Sequence, residues 1–224
     1  MKKPVIAIDG YSSTGKSSIS KIIAEKLGII HLDTGALYRG VTWFALQNCT
    51  GGNGSIDPDR LFSSFPEIEL EFRNFGGELI LFLNHIDISK AIRTNEVSDN
   101  VSFVAKQKPV RDFLLQAQRS QAEKGGIIMD GRDIGTVVLP DADYKFFLTA
   151  SIDERTRRRY QELLSLGITA DEQQVKKNLI ERDRIDSERE IAPLKQAEDA
   201  IVIDNTNLNK QETIDAILSY IDSF

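Results

Sequence analysis

Val5-Ile6-Ala7-Ile8-Asp9-Gly10-Tyr11-Ser12-Ser13-Thr14-Gly15-Lys16-Ser17 is the stretch on which the fold turns. Val5–Asp9 is a short apolar run and predicts a buried strand. Gly10–Ser17 fits G-x-x-x-x-G-K-[ST] at every fixed position. Ile19, Ile22, Ile23, Ala24 and Leu27 then recur at helical spacing over 15–27, and Gly28 is a plausible stop. Strand, glycine-rich turn and helix in that order form a phosphate loop. Backbone N–H groups of the loop and of the helix N-terminus would point at phosphate oxygens. Gly10 and Gly15 let the backbone approach without a Cβ clash. Lys16 would set a point charge on the β- and γ-phosphates, and Ser17 would offer a hydroxyl to Mg²⁺. The expected cradle is Gly10, Tyr11, Ser12, Ser13, Thr14, Gly15, Lys16, Ser17 and Ser18. This predicts binding of a nucleoside triphosphate and leaves its use open.

Outward from the loop, Ile29–Leu32 reads as a strand and 35–48 as a helix, followed by a flexible break at Thr50–Gly54. Ile68, Leu70 and Phe72 then alternate with Glu69, Glu71 and Arg73. Asn74–Gly77 can turn and Leu79–Leu83 can return, so a hairpin is expected within an insertion at 57–93. Residues 109–124 read as a helix, Gly126–Asp130 and Tyr144–Leu148 as buried strands, and 153–166 and 171–190 as charged helices around Gly167. Ala200–Asp204 is a last strand and 210–222 a last helix. Strands alternating with helices predict an α/β fold with a mostly parallel sheet flanked by helices.

The chain has 224 residues, with 28 Lys+Arg against 34 Asp+Glu and a formal net charge of -6. That balance argues against a broadly basic nucleic-acid-binding surface. The one cysteine, Cys49, excludes an internal disulfide or a Cys-rich zinc site, and a reducing compartment, the cytoplasm, fits best. His31 and His85, the only histidines, lie far apart in sequence and argue against His-based metal catalysis. No apolar stretch approaches the roughly 18 residues needed to span a membrane. The run after Met1-Lys2-Lys3-Pro4 is too short for a signal peptide. With no strongly apolar surface stripe, a monomer is expected.

Two classes remain, a small-molecule kinase and a GTP-binding switch. Asn209-Lys210-Gln211-Glu212 comes close to the guanine-reading Asn-Lys-x-Asp element. It lies several residues beyond the last strand, however, where Asn209 and Glu212 more simply form a capping box. A kinase is preferred, and the arginines favour a phosphate acceptor. Seven of the 14 lie within 151–190: Arg155, Arg157, Arg158, Arg159, Arg182, Arg184 and Arg189. The planar guanidinium suits phosphate oxygens, and an anionic acceptor needs neutralisation and alignment more than a base. Arg157 is assigned to solvent, while Arg155, Arg158 and Arg159 stay open, since three consecutive helical residues cannot all face one site. Asp130, which ends Ile127-Ile128-Met129, stands where Mg²⁺ or its waters can be held, with Arg132 and Asp133 facing the crevice. A tight Asp-Gly turn is the alternative.

These segments together resemble bacterial-type cytidylate kinases. The matching stretches are Ile8–Gly10, the phosphate loop, Leu32-Asp-Thr-Gly-Ala-Leu-Tyr-Arg39, Ile92–Val97, Asp130-Gly-Arg-Asp-Ile-Gly-Thr136, Pro140–Ala142, Glu181–Asp183 and Ile191–Leu194. The resemblance implies transfer of the ATP γ-phosphoryl group to CMP or dCMP with Mg²⁺, on a P-loop kinase core of residues 1–56, 94–152 and 191–224. It also implies an inserted NMP-binding subdomain at 57–93 with antiparallel strands, and a helical lid at 153–190. Carried over by position, Lys16, Arg132, Arg155, Arg159 and Arg189 would be catalytic. Thr34, Arg39, Arg132 and Arg189 would contact the acceptor phosphate and its surroundings. Ser102, Arg111 and Asp133 would read cytosine, and Arg182 and Asp186 would hold the sugar. Ser17 and Asp130 would serve the metal.

Overall fold

The computed structural model describes residues 3–52, 54–75 and 78–221. The chain divides into two compact units, Met1–His31 with Lys124–Phe224, and Leu32–Glu123.

The first unit carries the nucleotide-type sheet. β1 (Val5–Gly10) leads through the glycine-rich loop into α1 (Lys16–Leu27), and β2 (Ile30–Asp33) follows. The other strands are β6 (Ile127–Gly131), β7 (Tyr144–Thr149) and β8 (Ile201–Asp204), in spatial order β2-β6-β1-β7-β8. β1 pairs parallel with both β6 and β7, and β7 with β8. Central strands covered on both faces must be apolar throughout, which is why they read as runs rather than alternations. Ile6, Ile8, Ile128, Phe146 and Leu148 are buried against Ile19 and Ile23 of α1 and against Ile214 and Ile217 of α8 (Lys210–Leu218). Asn209 caps α8: its side chain accepts from Glu212 N at 3.0 Å, and Glu212 Oε2 accepts from Asn209 N at 2.8 Å. The near-match to a guanine-reading element is therefore a capping box. α8 ends at Leu218, short of the expected 222, and Asp222 lies outside the described residues.

Two charged helices, α6 (Ile152–Ser165) and α7 (Glu172–Glu188), complete this unit and join through Leu163, Val175 and Leu179. α7 stops two residues before the expected 190 because Arg189 adopts extended backbone. A single π-helical turn, Ile134–Val138, follows β6 and was not foreseen from periodicity.

The second unit holds α2 (Thr34–Asn48), α3 (Pro58–Ser63), a three-stranded antiparallel sheet of β3 (Leu70–Phe75), β4 (Glu78–Leu83) and β5 (Ile86–Asp87), and two helices, α4 (Asn95–Ala105) and α5 (Lys108–Ala122). The expected hairpin is present, with Leu70 opposite Leu83 and Phe72 opposite Leu81. Gly76 and Gly77 of its turn lie outside the described residues. The short β5 adds to the expectation. Asn84 and His85 both take positive φ, 47° and 68°, which is the type I′ geometry that closes a two-residue hairpin. Val41, Leu61, Leu81, Ile88, Val104 and Leu114 form the core of this unit. A Cβ on Gly40 would lie 3.1–3.3 Å from Leu70, Ile88 and Leu81, so the bare backbone lets α2 sit close against the sheet. The helix α4 was missed by the sequence reading. Val97, Val101, Val104 and Ala105 do recur at helical spacing, and Thr94 caps the first turn by accepting from Val97 N at 3.3 Å.

Candidate active site

The phosphate loop keeps its shape through backbone geometry that side chains resist. Gly10 has φ +144°, and a Cβ there would lie 2.0 Å from the carbonyl oxygen of Leu148 on β7. Gly15 has φ +89° where α1 begins. Lys16 is buried, and its Nζ donates to Gly10 O at 2.8 Å and Tyr11 O at 2.5 Å. Burial, and next the Arg132 charge, hold its pKa well below the usual lysine value, while Asp130, Asp9 and Asp183 pull it back up. Ser12 and Thr14 are buried, Ser13 and Ser17 half-buried, and Ser18 exposed.

Two arginines from distant segments converge on Ser12. Arg132, just past β6, donates from Nη2 to Ser12 Oγ at 2.7 Å and from Nε to Asp186 Oδ2 at 2.9 Å. Arg155 on α6 donates from Nη1 to Ser12 O at 3.4 Å and to Asp183 Oδ2 at 2.6 Å, and its guanidinium lies 5.0 Å from the Tyr11 ring centre. Asp183 and Asp186 are three residues apart on α7, so one face of that helix supplies both counter-charges. Burial raises the Asp186 carboxyl, but Arg132, Arg189 and Arg182 outweigh it and hold the group below the carboxylate range. Arg189 is buried, and it donates to Ala192 O at 2.6 Å and to Asp133 Oδ1 at 3.2 Å.

The run Arg157-Arg158-Arg159 divides as helical geometry requires. Arg157 is exposed and pairs with Glu154. Arg159 pairs with Glu162 on its own helix. Arg158 reaches the loop, donating to Thr14 O at 3.3 Å and to Asn205 O at 2.8 Å, and Asn205 Nδ2 donates to Thr14 O at 2.9 Å. Asn205, immediately after β8, is a loop brace that the sequence reading missed, because a lone Asn beyond a strand carries no local signal.

Asp130 is buried, and its Oδ1 lies 2.7 Å from His31 Nε2, a partner also unassigned from sequence. Asp9 is buried at the end of β1 and accepts from the backbone N–H of Ile134 and of Gly135, each at 2.8 Å. Burial pushes its carboxyl up to about 6 despite those two bonds.

The remaining sequence candidates belong to the second unit. Asp33 caps α2, accepting from Ala36 N at 3.2 Å, and its other oxygen takes Arg39 Nη2 at 2.6 Å. Thr34 and Ser102 are buried. Arg111 on α5 is buried, donates to Ala105 O at 3.3 Å and stands 5.3 Å from the Tyr38 ring centre.

A parallel sheet that delivers a lysine-bearing phosphate loop, with arginines gathered on that loop and an acidic residue ending the adjacent strand, defines a P-loop phosphotransferase. The cytidylate kinase family model matches residues 6–223. The chain is 47% identical over 218 residues to the cytidylate kinase of Streptococcus pneumoniae, covering 97% of this chain and 96% of that protein. It is 42% identical over 220 residues to the cytidylate kinase of Bacillus cereus, covering 98% and 96%. The chain belongs to the cytidylate kinase family. An uncharacterized protein from Eubacterium ventriosum is similar in fold alone, with a TM-score of 0.54 and 17% identity over the whole of both chains.

Proposed function

We propose that this kinase transfers the γ-phosphoryl group of ATP to CMP and dCMP, giving CDP and dCDP by in-line displacement. The observation that carries the reading is the convergence of Lys16, Arg132 and Arg155 on one phosphate loop in a chain of this family. The acceptor is already an anion, so no residue need remove a proton. The loop N–H groups and Lys16 hold the donor phosphates, and the planar forks of Arg132, Arg155 and Arg189 spread charge as the phosphoryl group moves. Arg159 acts in the same lid of α6 and α7, whose closure excludes water that would otherwise hydrolyse ATP.

Ser17 and Asp130 would hold Mg²⁺. Both are oxygen donors of the kind that ion takes, and Mg²⁺ would supply charge neutralisation between donor phosphates. Thr34 and Arg39 hold the acceptor phosphate. Asp133 accepts from the cytosine N4 amine, which uracil lacks, with Ser102 and Arg111 completing the base set. Arg182 and Asp186 hold the sugar. Among the described residues no helix is long and apolar enough to cross a membrane. We place the enzyme in the cytoplasm as a monomer, where its buried free Cys49 thiol fits a reducing milieu.

The test is ADP release with CMP, dCMP, UMP and AMP side by side. CMP and dCMP should be the fast acceptors. Preference for AMP overturns the base assignment, and GTP turnover without any acceptor returns the chain to the switch class.

A further inference from the structure

The π-helical turn Ile134–Val138 begins without help from the residue at its own start. Asp133 stands at the N-cap position, where an aspartate normally turns its side chain onto the first free N–H groups. Here its carboxylate makes no such bond. The backbone N–H groups of Ile134 and Gly135 are nonetheless satisfied. Asp9, 125 residues earlier and next to Gly10 of the phosphate loop, takes one on each carboxylate oxygen at 2.8 Å. Asp133 Oδ1 instead receives Arg189 Nη2 at 3.2 Å. Helix starts leave N–H groups that must find an acceptor, so a carboxylate that supplies both bonds relieves the local one of that duty.

We propose that Asp9 is a positioning residue for the acceptor: by capping the 134–138 turn in place of Asp133, it keeps the Asp133 carboxylate available to Arg189 and to the substrate base. The inference rests on the reading of Asp133 as a cytosine contact. Asp9 touches no substrate itself. It acts through Asp133, and its place beside Gly10 ties the donor loop to the turn that presents the base reader.

Asn is the discriminating replacement. Its amide keeps one acceptor oxygen but turns an NH₂ donor toward an N–H donor, so one N–H loses its partner. Asp133, at the N-cap position of the turn, is the local carboxylate placed to take over that duty, and it would leave Arg189 to do so. For Asp9→Asn the expected result is a rise of about tenfold in KM for CMP with KM for ATP within about threefold, and a fall of about tenfold in the CMP-over-UMP ratio of kcat/KM. Asp133→Asn should remove the same selectivity, and combining the two should add little, since both act through one carboxylate. Thermal melts separate these effects from unfolding. If wild type does not prefer CMP over UMP, the base reading itself is wrong. If wild type prefers CMP but folded Asp9→Asn keeps that preference, or raises both KM values alike, the capping role is overturned. Additive losses in the double variant overturn it as well.

Discussion

Arg132 joins stability and chemistry in one side chain, and the two can be separated by experiment. Its Nε lies 2.9 Å from Asp186 Oδ2, and its Nη2 lies 2.7 Å from Ser12 Oγ. The side chains of Arg132 and Asp186 are 21% and 6% exposed. At that separation and an effective dielectric of about 20, the attraction is about 6 kcal/mol before desolvation is subtracted. Arg132→Ala takes the hydrogen-bonded partner from the buried Asp186 carboxylate and leaves it only the charges of Arg189 and Arg182, so the expected loss of stability approaches the about 3–5 kcal/mol of a broken buried pair. Adding Asp186→Asn removes the under-compensated charge and should restore at least about half of that loss. Catalysis should respond differently. The guanidinium is then still missing from the phosphoryl group, so kcat at saturating CMP should remain about 10³–10⁵ below wild type in both the single and the double variant. Urea unfolding gives the first quantity and coupled ADP release at saturation the second. If the double variant recovers both stability and kcat, Arg132 holds the fold and does no chemistry. If Arg132→Ala unfolds within about 1 kcal/mol of wild type, the buried pair is not the constraint its geometry indicates.

Lys16→Ala should lower kcat by at least about 10²-fold while leaving the fold intact, because it removes the cation that faces the donor phosphates and, within the loop, only the hydrogen bonds that Nζ donates to Gly10 O, Tyr11 O and Thr14 Oγ1; near-normal turnover would contradict the loop assignment. Gly10→Ala drives a Cβ to within 2.0 Å of Leu148 O at φ +144°, so overpacking and backbone strain together should cost about 2–6 kcal/mol, visible as a fall in melting temperature. Glu154 is held at about 2, first by its hydrogen bond from Arg157 and then by Arg158. A depressed carboxyl stabilises above its unfolded value, near 4.5, and that contribution fades as pH falls toward 2. Because Arg157 is exposed, the contribution should be only about 1 kcal/mol, and Glu154→Gln should reduce the loss of unfolding free energy between pH 6 and pH 3, read from urea unfolding, by up to that amount.

The sheet and the phosphate loop were legible because their signals are local. A run such as Ile127-Ile128-Met129 has few uses other than a covered strand, and the loop motif spans eight residues. The capping box at Asn209 was legible for the same reason. Helix α4 escaped because Asn95, Glu96, Ser98, Asp99 and Asn100 make its first half mostly polar and hide a sparse apolar stripe. Within the site, sequence named the arginines but not their division. Only the helix phase of α6 shows that Arg155 and Arg158 reach the loop while Arg159 pairs with Glu162. Partners that meet across the fold were beyond reach. His31 and Asp130 are 99 residues apart, Asp9 and Ile134 are 125 apart, and Asn205 and Thr14 are 191 apart. No periodicity connects such positions, and each is an ordinary polar residue in its own neighbourhood.

The sheet order has a consequence for synthesis. β1 lies between β6 and β7, both encoded after the whole of Leu32–Glu123. On the ribosome the apolar run Val5–Ile8 therefore waits for partners that begin at Ile127 and Tyr144. At about 5–20 residues per second that wait is about 6–25 s. The contiguous segment 32–123 holds its own core in the meantime and has time to collapse first. A central strand with five of its six residues buried is thus the one exposed longest to chaperones, and nascent-chain proteolysis should find 32–123 protected before residues 5–10.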